Sequence, residues 1–204
     1  MKLIRYTERP DLWASSLEIS HEVWPEYNQH GDVVSENWER LFDEFPAYQF
    51  VLYEDEVLGE GHTVPCCWDG TLDGLGEGID AMADLARDAG LAHLIAPVRP
   101  TFKDRYPITP IERYVSWTND AGEAFDPWIR VHLRRGGQIV KPVARSLRIT
   151  GTVSEWEQWT GMRFPGDGAY TFSGGLAPVE IDRSADTGAY WEPNVWIVHA
   201  VENS

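Results

Sequence analysis

The stretch Gly74-Leu-Gly-Glu-Gly-Ile-Asp-Ala-Met-Ala-Asp-Leu-Ala-Arg-Asp-Ala-Gly-Leu-Ala-His-Leu-Ile-Ala96 decides the fold. From Glu77 to Ala89 the positions Ile79, Met82, Ala83 and Ala86 share one helical face, and Gly90 supplies the stop. Leu91-Ala-His-Leu-Ile-Ala96 then has the length and composition of a buried strand. Just upstream lies a hairpin: Tyr48-Gln-Phe-Val-Leu-Tyr53, a turn at Glu54-Asp-Glu56, and a return from Val57 to Val64. The order strand, turn, helix, strand points to α/β layering. The glycine turn from Gly70 to Gly78 also offers backbone N–H groups to a phosphate at the helix start. It offers them among eleven carboxylates, since Leu41 to Ala86 contains no lysine or arginine. One carboxylate about 4 Å from a phosphate costs ~4 kcal/mol at an effective dielectric of ~20. A helix N-terminus returns only ~0.3–1 kcal/mol. A phosphate therefore sits there only if Asp73 and Glu77 point away or a metal lies between.

Outward from that stretch, residues 2 to 6 alternate as a first strand, and a helix runs through Leu12, Leu17 and Val23 until Pro25 breaks it. A second helix starts near Ser35, carries Trp38, Leu41 and Phe42 on its apolar stripe, and ends at Pro46. Towards the C-terminus, Pro97, Pro100, Pro107, Pro110 and Pro127 pin a connection along an extended path. Pro127 opens a helix from Trp128 to Arg135 that Gly136-Gly137 stops, and Gln138 to Thr150 continues as strand. Ser154-Glu-Trp-Glu157 has capping-box spacing for a short helix. Strands follow at Ala169–Phe172, Ala177–Ile181 and Asn194–Val201, the last entered through a Glu192-Pro193-Asn194 turn. The expected organisation is a domain over 1–150 with a β-rich extension, 151–204, packed on it.

The 204 residues suffice for one buried core, and the net charge of −16 is uneven. Residues 41–86 carry −11, whereas residues 87–148 carry +5. Such a balance repels nucleic acid and anionic membranes, leaving a small-molecule substrate as the expected partner. The basic segment Arg130 to Arg148 is either a solvated helix and strand edge or a site for an anionic molecule or acidic partner. Early charges at the N-terminus leave no room for a signal peptide, so the cytoplasm is expected. Cys66 and Cys67 are adjacent and point to opposite faces of a strand, which suits reduced core thiols better than a disulfide or a metal centre.

Gly78 to Val140 resembles the second half of a GNAT acetyltransferase domain. The motifs Ile95-Ala-Pro-Val-Arg-Pro100, Tyr106-Pro107, Phe125-Asp-Pro-Trp-Ile-Arg-Val-His132, Gly151-Thr-Val-Ser-Glu-Trp156 and Trp191-Glu-Pro-Asn-Val-Trp196 resemble an actinobacterial GNAT-like group. Trp24-Pro-Glu and Tyr48-Gln-Phe-Val-Leu fit the same group. The resemblance implies a mixed, mostly antiparallel central sheet flanked by helices, and an acetyl-CoA or other acyl-CoA bound at a glycine loop. Gly76 and Gly78 match the last two loop glycines, with Asp73 where the family leads with a basic or glutamine residue. The short span from Trp68 to Gly78 leaves little room for the family's bulged central strand.

The resemblance also places His132, four residues before Gly136, at the position of the family's thiol-protonating tyrosine. A histidine works as acid or base near neutrality; the alternative is a half-exposed helix histidine paired with a neighbour such as Asp126. Glu192 is the candidate amine-side base, in a pocket whose apolar walls raise its proton affinity, with Asn194 beside it. Arg99, Lys103 and Arg105 follow the buried strand, where ligands often bind, and suit a carboxylate, phosphate or sulfate. Trp24 and Trp128 are candidate walls of an aromatic pocket. The leading expectation is a small-molecule acyltransferase-fold protein of a biosynthetic or resistance pathway. The alternatives are a CoA-independent tailoring enzyme performing elimination or cyclisation on an anionic molecule, and a non-catalytic subunit of a hetero-complex. A homodimer or a partner chain could supply the strand that the short span omits.

Overall fold

The computed structural model describes residues 2–15, 19, 23–65 and 90–201. The cysteine pair, the glycine turn with Gly76 and Gly78, the Glu77–Ala89 helix and His21 lie outside the described residues. Strand β1 (Lys2–Arg5) is followed by a 3-10 turn at Pro10–Leu12 and another at Glu26–His30. The helix expected from Ser35 is two short pieces, α1 (Asp32–Asn37) and α2 (Arg40–Glu44). It begins earlier because Asp32 is anchored across the fold, its Oδ1 accepting from Thr150 N at 2.7 Å and Thr150 Oγ1 at 2.9 Å. The expected hairpin is β2 (Gln49–Tyr53) and β3 (Val57–His62), and β1 completes an antiparallel three-stranded sheet in the order β1-β2-β3. Trp13, Val51 and Val57 form its core, with Tyr6 and Phe42 edge-on to Trp13.

The buried strand is β4 (His93–Val98). The proline-pinned connection holds a 3-10 turn at Lys103–Arg105 and α3 (Ile111–Tyr114), then α4 (Pro127–Arg134) follows. Asp126 caps α4, its Oδ1 accepting from Trp128 N and Ile129 N at 3.0 and 3.2 Å. Gly136 turns the chain at φ +82°, and Gly137 must lack a side chain, because a Cβ there would lie 2.7 Å from His199 Cε1. Strand β5 (Gln138–Gly151) then leads to α5 (Val153–Thr160). Its capping box is Thr152 with Glu155, two residues earlier than the Ser154–Glu157 spacing suggested. Glu157 is drawn forward instead, accepting from Phe164 N at 3.1 Å and pairing with Arg163.

Strands β6 (Gly168–Tyr170), β7 (Val179–Asp182) and β8 (Thr187–Ala200) complete a five-stranded antiparallel sheet. Strand β8 pairs with β4, β5 and β7, so the C-terminal segment supplies the centre of the sheet. The expected Glu192-Pro193-Asn194 turn is continuous strand. Proline lacks the ladder N–H, and β5 accommodates it by a register shift between Val143 and Leu147, opposite Pro193.

Candidate functional site

Side chains alternate along β8, and its two halves bury opposite faces. Gly188 and Tyr190 face Trp156, Tyr27, Phe172, Val179 and Ile181, an aromatic core under α5. Val195 and Ile197 face the other way, into Ala96, Val98, Ile111, Tyr114 and Ile129 beneath α3 and α4. The switch falls at Glu192–Asn194, and there the strand buries polar groups.

Glu192 is 2% exposed. Its Oε1 accepts from Arg99 Nε at 3.0 Å, and its Oε2 accepts from the Tyr190 hydroxyl at 3.2 Å, with the Tyr27 hydroxyl at 3.4 Å. Arg99 Nη2 also donates to Tyr27 Oη at 3.0 Å and to Gly174 O at 2.8 Å. Tyr190 accepts from Leu176 N at 3.0 Å. Burial pushes the Glu192 carboxyl above the usual carboxylate range, with Arg99 opposing it. Burial and the Glu192 charge push Tyr27 and Tyr190 upward as well, so both hydroxyls stay protonated donors. Tyr27 and Tyr190 are members of this cluster that the motifs did not single out. Their one sequence signal was an aromatic residue beside each proline-bearing motif.

The three candidate cations do not act together. Arg99 turns inward to Glu192. Lys103, 1% exposed, donates to Leu176 O at 2.6 Å and Tyr106 O at 2.8 Å, and burial lowers it to about 8. Arg99 and Lys103 thus clamp the loop at Gly174–Leu176 onto the end of β4. Arg105 is exposed and lies 3.8 Å over the Phe102 ring.

His132 is buried on α4, and its Nδ1 sits 2.9 Å from Nε2 of His199, on the β8 face shared with Val195 and Ile197. The pairing with Asp126 is not made: Asp126 Oδ2 accepts from Phe102 N and the Tyr114 hydroxyl, at 2.9 and 2.8 Å. Trp128 stands edge-on to His132 with centroids 4.9 Å apart. Trp24 and Trp128 are 45% and 39% exposed and belong to separate regions, near the first loop and on α4. His132 and Glu192 therefore lie on opposite faces of the sheet. Asn194 shares the Glu192 face, where its Nδ2 donates to Ser146 Oγ at 3.2 Å. Among the described residues its Oδ1 has no hydrogen-bond partner, and neither has the buried Nε1 of Trp196 two residues on. Each unmade bond costs ~1–3 kcal/mol, and such groups in a native interior call for an explanation.

The whole chain superposes on the loading GNATL domain of CurA from Lyngbya majuscula with a TM-score of 0.53, covering 100% of this chain and 98% of that domain at 15% identity. An arginine N-acetyltransferase of Aspergillus versicolor is 26% identical over 265 aligned positions, spanning 95% of this chain and 91% of the relative. The chain has a GNAT-like fold. No family model matches it. The likeness to the loading domain spans both antiparallel sheets, the three-stranded β1-β2-β3 sheet and the five-stranded sheet around β8. Among the described residues no helix is long and apolar enough to cross a membrane.

Proposed function

We propose that this GNAT-fold chain is an N-acyltransferase that moves the acyl group of an acyl-CoA onto the amine of a small polar acceptor. The observation that carries this is the end-to-end likeness to an arginine N-acetyltransferase, in a chain whose sheet has the GNAT fold. The +5 balance of residues 87–148, on a chain of −16, gives the polyphosphate of coenzyme A an attractive segment. Acyl-CoA is the co-substrate that brings an activated thioester. The amine nitrogen attacks the thioester carbonyl carbon, the C–N bond forms, the C–S bond breaks, and the thiolate takes up a proton as the nitrogen loses one.

His132 is the proposed proton source for the thiolate. Its hydrogen bond to His199 fixes the ring and puts a second exchangeable proton behind it. Glu192 serves the acceptor side by holding Arg99, because both of its oxygens are already engaged. The two groups occupy opposite faces, so thioester and amine meet around a sheet edge. Among the described residues β4 pairs only with β8, and its other edge is the candidate passage. The CoA-independent reading needed a converging cluster at Arg99, Lys103 and Arg105, and these side chains diverge.

The test is thiol release from acetyl-CoA by the purified chain against a panel of primary amines including L-arginine, with products weighed by mass spectrometry. Amine-dependent release, matched one for one by N-acetylated product, is expected. Release that ignores the amine, or none across the panel, overturns the proposal.

A further inference from the structure

Pro193 stands on the face of β8 opposite Glu192, and there it lines a cleft of about 290 Å³. Ligand pockets start near that size, at ~300 Å³. The wall is mostly apolar: Pro193 from β8, Ala144 from β5, Pro107 and Ile108 from the connection after β4, and Ala177 from the loop after Leu176. Pro193 is six residues from His199, about 20 Å along an extended strand, so the cleft is separate from the proposed thiol acid. The register pairs Val143 with Asn194 and Leu147 with Glu192, and Ala144, Arg145 and Ser146 bulge out opposite Pro193 alone. Bulges re-aim side chains and are frequent beside functional sites. Here the bulge puts exposed Arg145 next to the cleft wall, 5.6 Å from the Trp191 ring. Ile108, in the same wall, is an apolar side chain left 78% exposed.

Lys103 also lines the cleft. Its Nζ bridges Tyr106 O and Leu176 O, and the residue after each, Pro107 and Ala177, forms part of the wall. Those carbonyls take two of its three N–H groups, and among the described residues no carboxylate pairs with it. A buried cation without an anion is costly, and burial accordingly lowers its proton affinity. The carboxylate in the wall, Glu112, is exposed to water, which screens its charge.

We propose that this cleft binds a small organic acid, its carboxylate on Lys103 and its compact apolar body against Pro193, Ala144 and Ile108. The carboxylate accepts the third N–H of Lys103 and supplies the counter-ion that the fold omits, with Arg145 adding positive charge at the rim. The body covers the Ile108 side chain that the chain leaves in water. The acid takes no part in acyl transfer, and the site stands whether or not that reading holds.

The experiment titrates the purified chain with benzoate and hexanoate, with their neutral amides benzamide and hexanamide, and with acetate, followed by calorimetry near neutral pH. At least one of the two larger acids should bind about tenfold or more tightly than its own amide, because a hydrogen bond to a charged group is at stake, and than acetate, which has the charge without the body. Ala144→Trp fills the cleft from the exposed bulge, and should weaken that acid by about tenfold with the melting midpoint retained. Lys103→Met should bring the acid and its amide to equal affinity. Equal binding of acid and amide by wild type, acetate as tight as the larger acids, an affinity that Ala144→Trp leaves intact, or no binding of either acid at millimolar concentration overturns the proposal. Every arm reads binding, so the outcome is independent of the amine panel above.

Discussion

The two halves of β8 make opposite use of the same backbone. From Gly188 to Tyr190 the strand buries the face under α5, and its outer face leaves Trp191 between Arg145 and Arg148, 5.6 and 5.7 Å from the ring. From Val195 to Ile197 it buries the outer face under α3 and α4, and leaves Asn194 and Trp196 on the inner side. A fourteen-residue strand can serve two cores only by exchanging its buried side along the way. At the exchange neither core covers it, so the groups placed there must satisfy one another. Glu192 does so with Arg99, Tyr190 and Tyr27. The comparison teaches that the polar centre of this sheet is a consequence of two apolar cores meeting.

The strongest way to break the contrast is to remove the first core alone. Trp156→Ala deletes a ring with no exposure and a bond from Nε1 to Gly188 O at 2.9 Å, and should cost about 3–5 kcal/mol in chemical denaturation. If the two halves behave as separate cores, the fluorescence change near Trp128 and Trp117 should lag behind the loss of secondary structure. Next, Glu192→Ala leaves Arg99 facing two tyrosines without its anion and should cost about 3 kcal/mol. In a double-mutant cycle with Arg99→Met most of that loss should be recovered, and simple additivity would show that the pair is not coupled.

Lys103 tests the clamp on the loop that both halves share. Its value near 8 in the folded chain lies below the ordinary 10.5. Between those pH values the unfolded chain binds more protons at this group, so its contribution to stability rises with pH, by up to about 1.4 kcal/mol per unit. Wild type should therefore gain on Lys103→Met between pH 8 and 10, and parallel profiles would refute the burial of this charge. The smallest effect belongs to the second half. His199→Leu leaves His132 Nδ1 without its partner and should be about 1 kcal/mol less stable than His199→Gln, which retains a polar group at that distance. Equal midpoints would mean that the histidine contact contributes nothing.

Much of the architecture was legible because its causes are local. The hairpin at Gln49–His62, the strand at His93–Val98, and the Pro127 start and Gly136 stop of α4 follow from alternation, proline geometry and glycine conformations within a few residues. The box at Thr152–Glu155 was misread by two residues because two overlapping spacings offered a cap, and the hydrogen bonds available to Glu157 beyond the helix chose between them.

The site was less legible. Glu192, Asn194, Arg99 and His132 were singled out by residue type and motif, yet Arg99 meets Glu192 across 93 residues and Tyr27 meets it across 165. Contacts of that separation are set by strand pairing and by the bulge opposite Pro193, which no local pattern encodes. The sequence by itself determined the α/β elements, the uneven charge and the resemblance to an acyltransferase family. Only the tertiary structure decided that His132 and Glu192 stand on opposite faces and that Lys103 holds a loop. The physical reason is that a strand's two faces differ by one residue of register, and register is fixed by its neighbours in space.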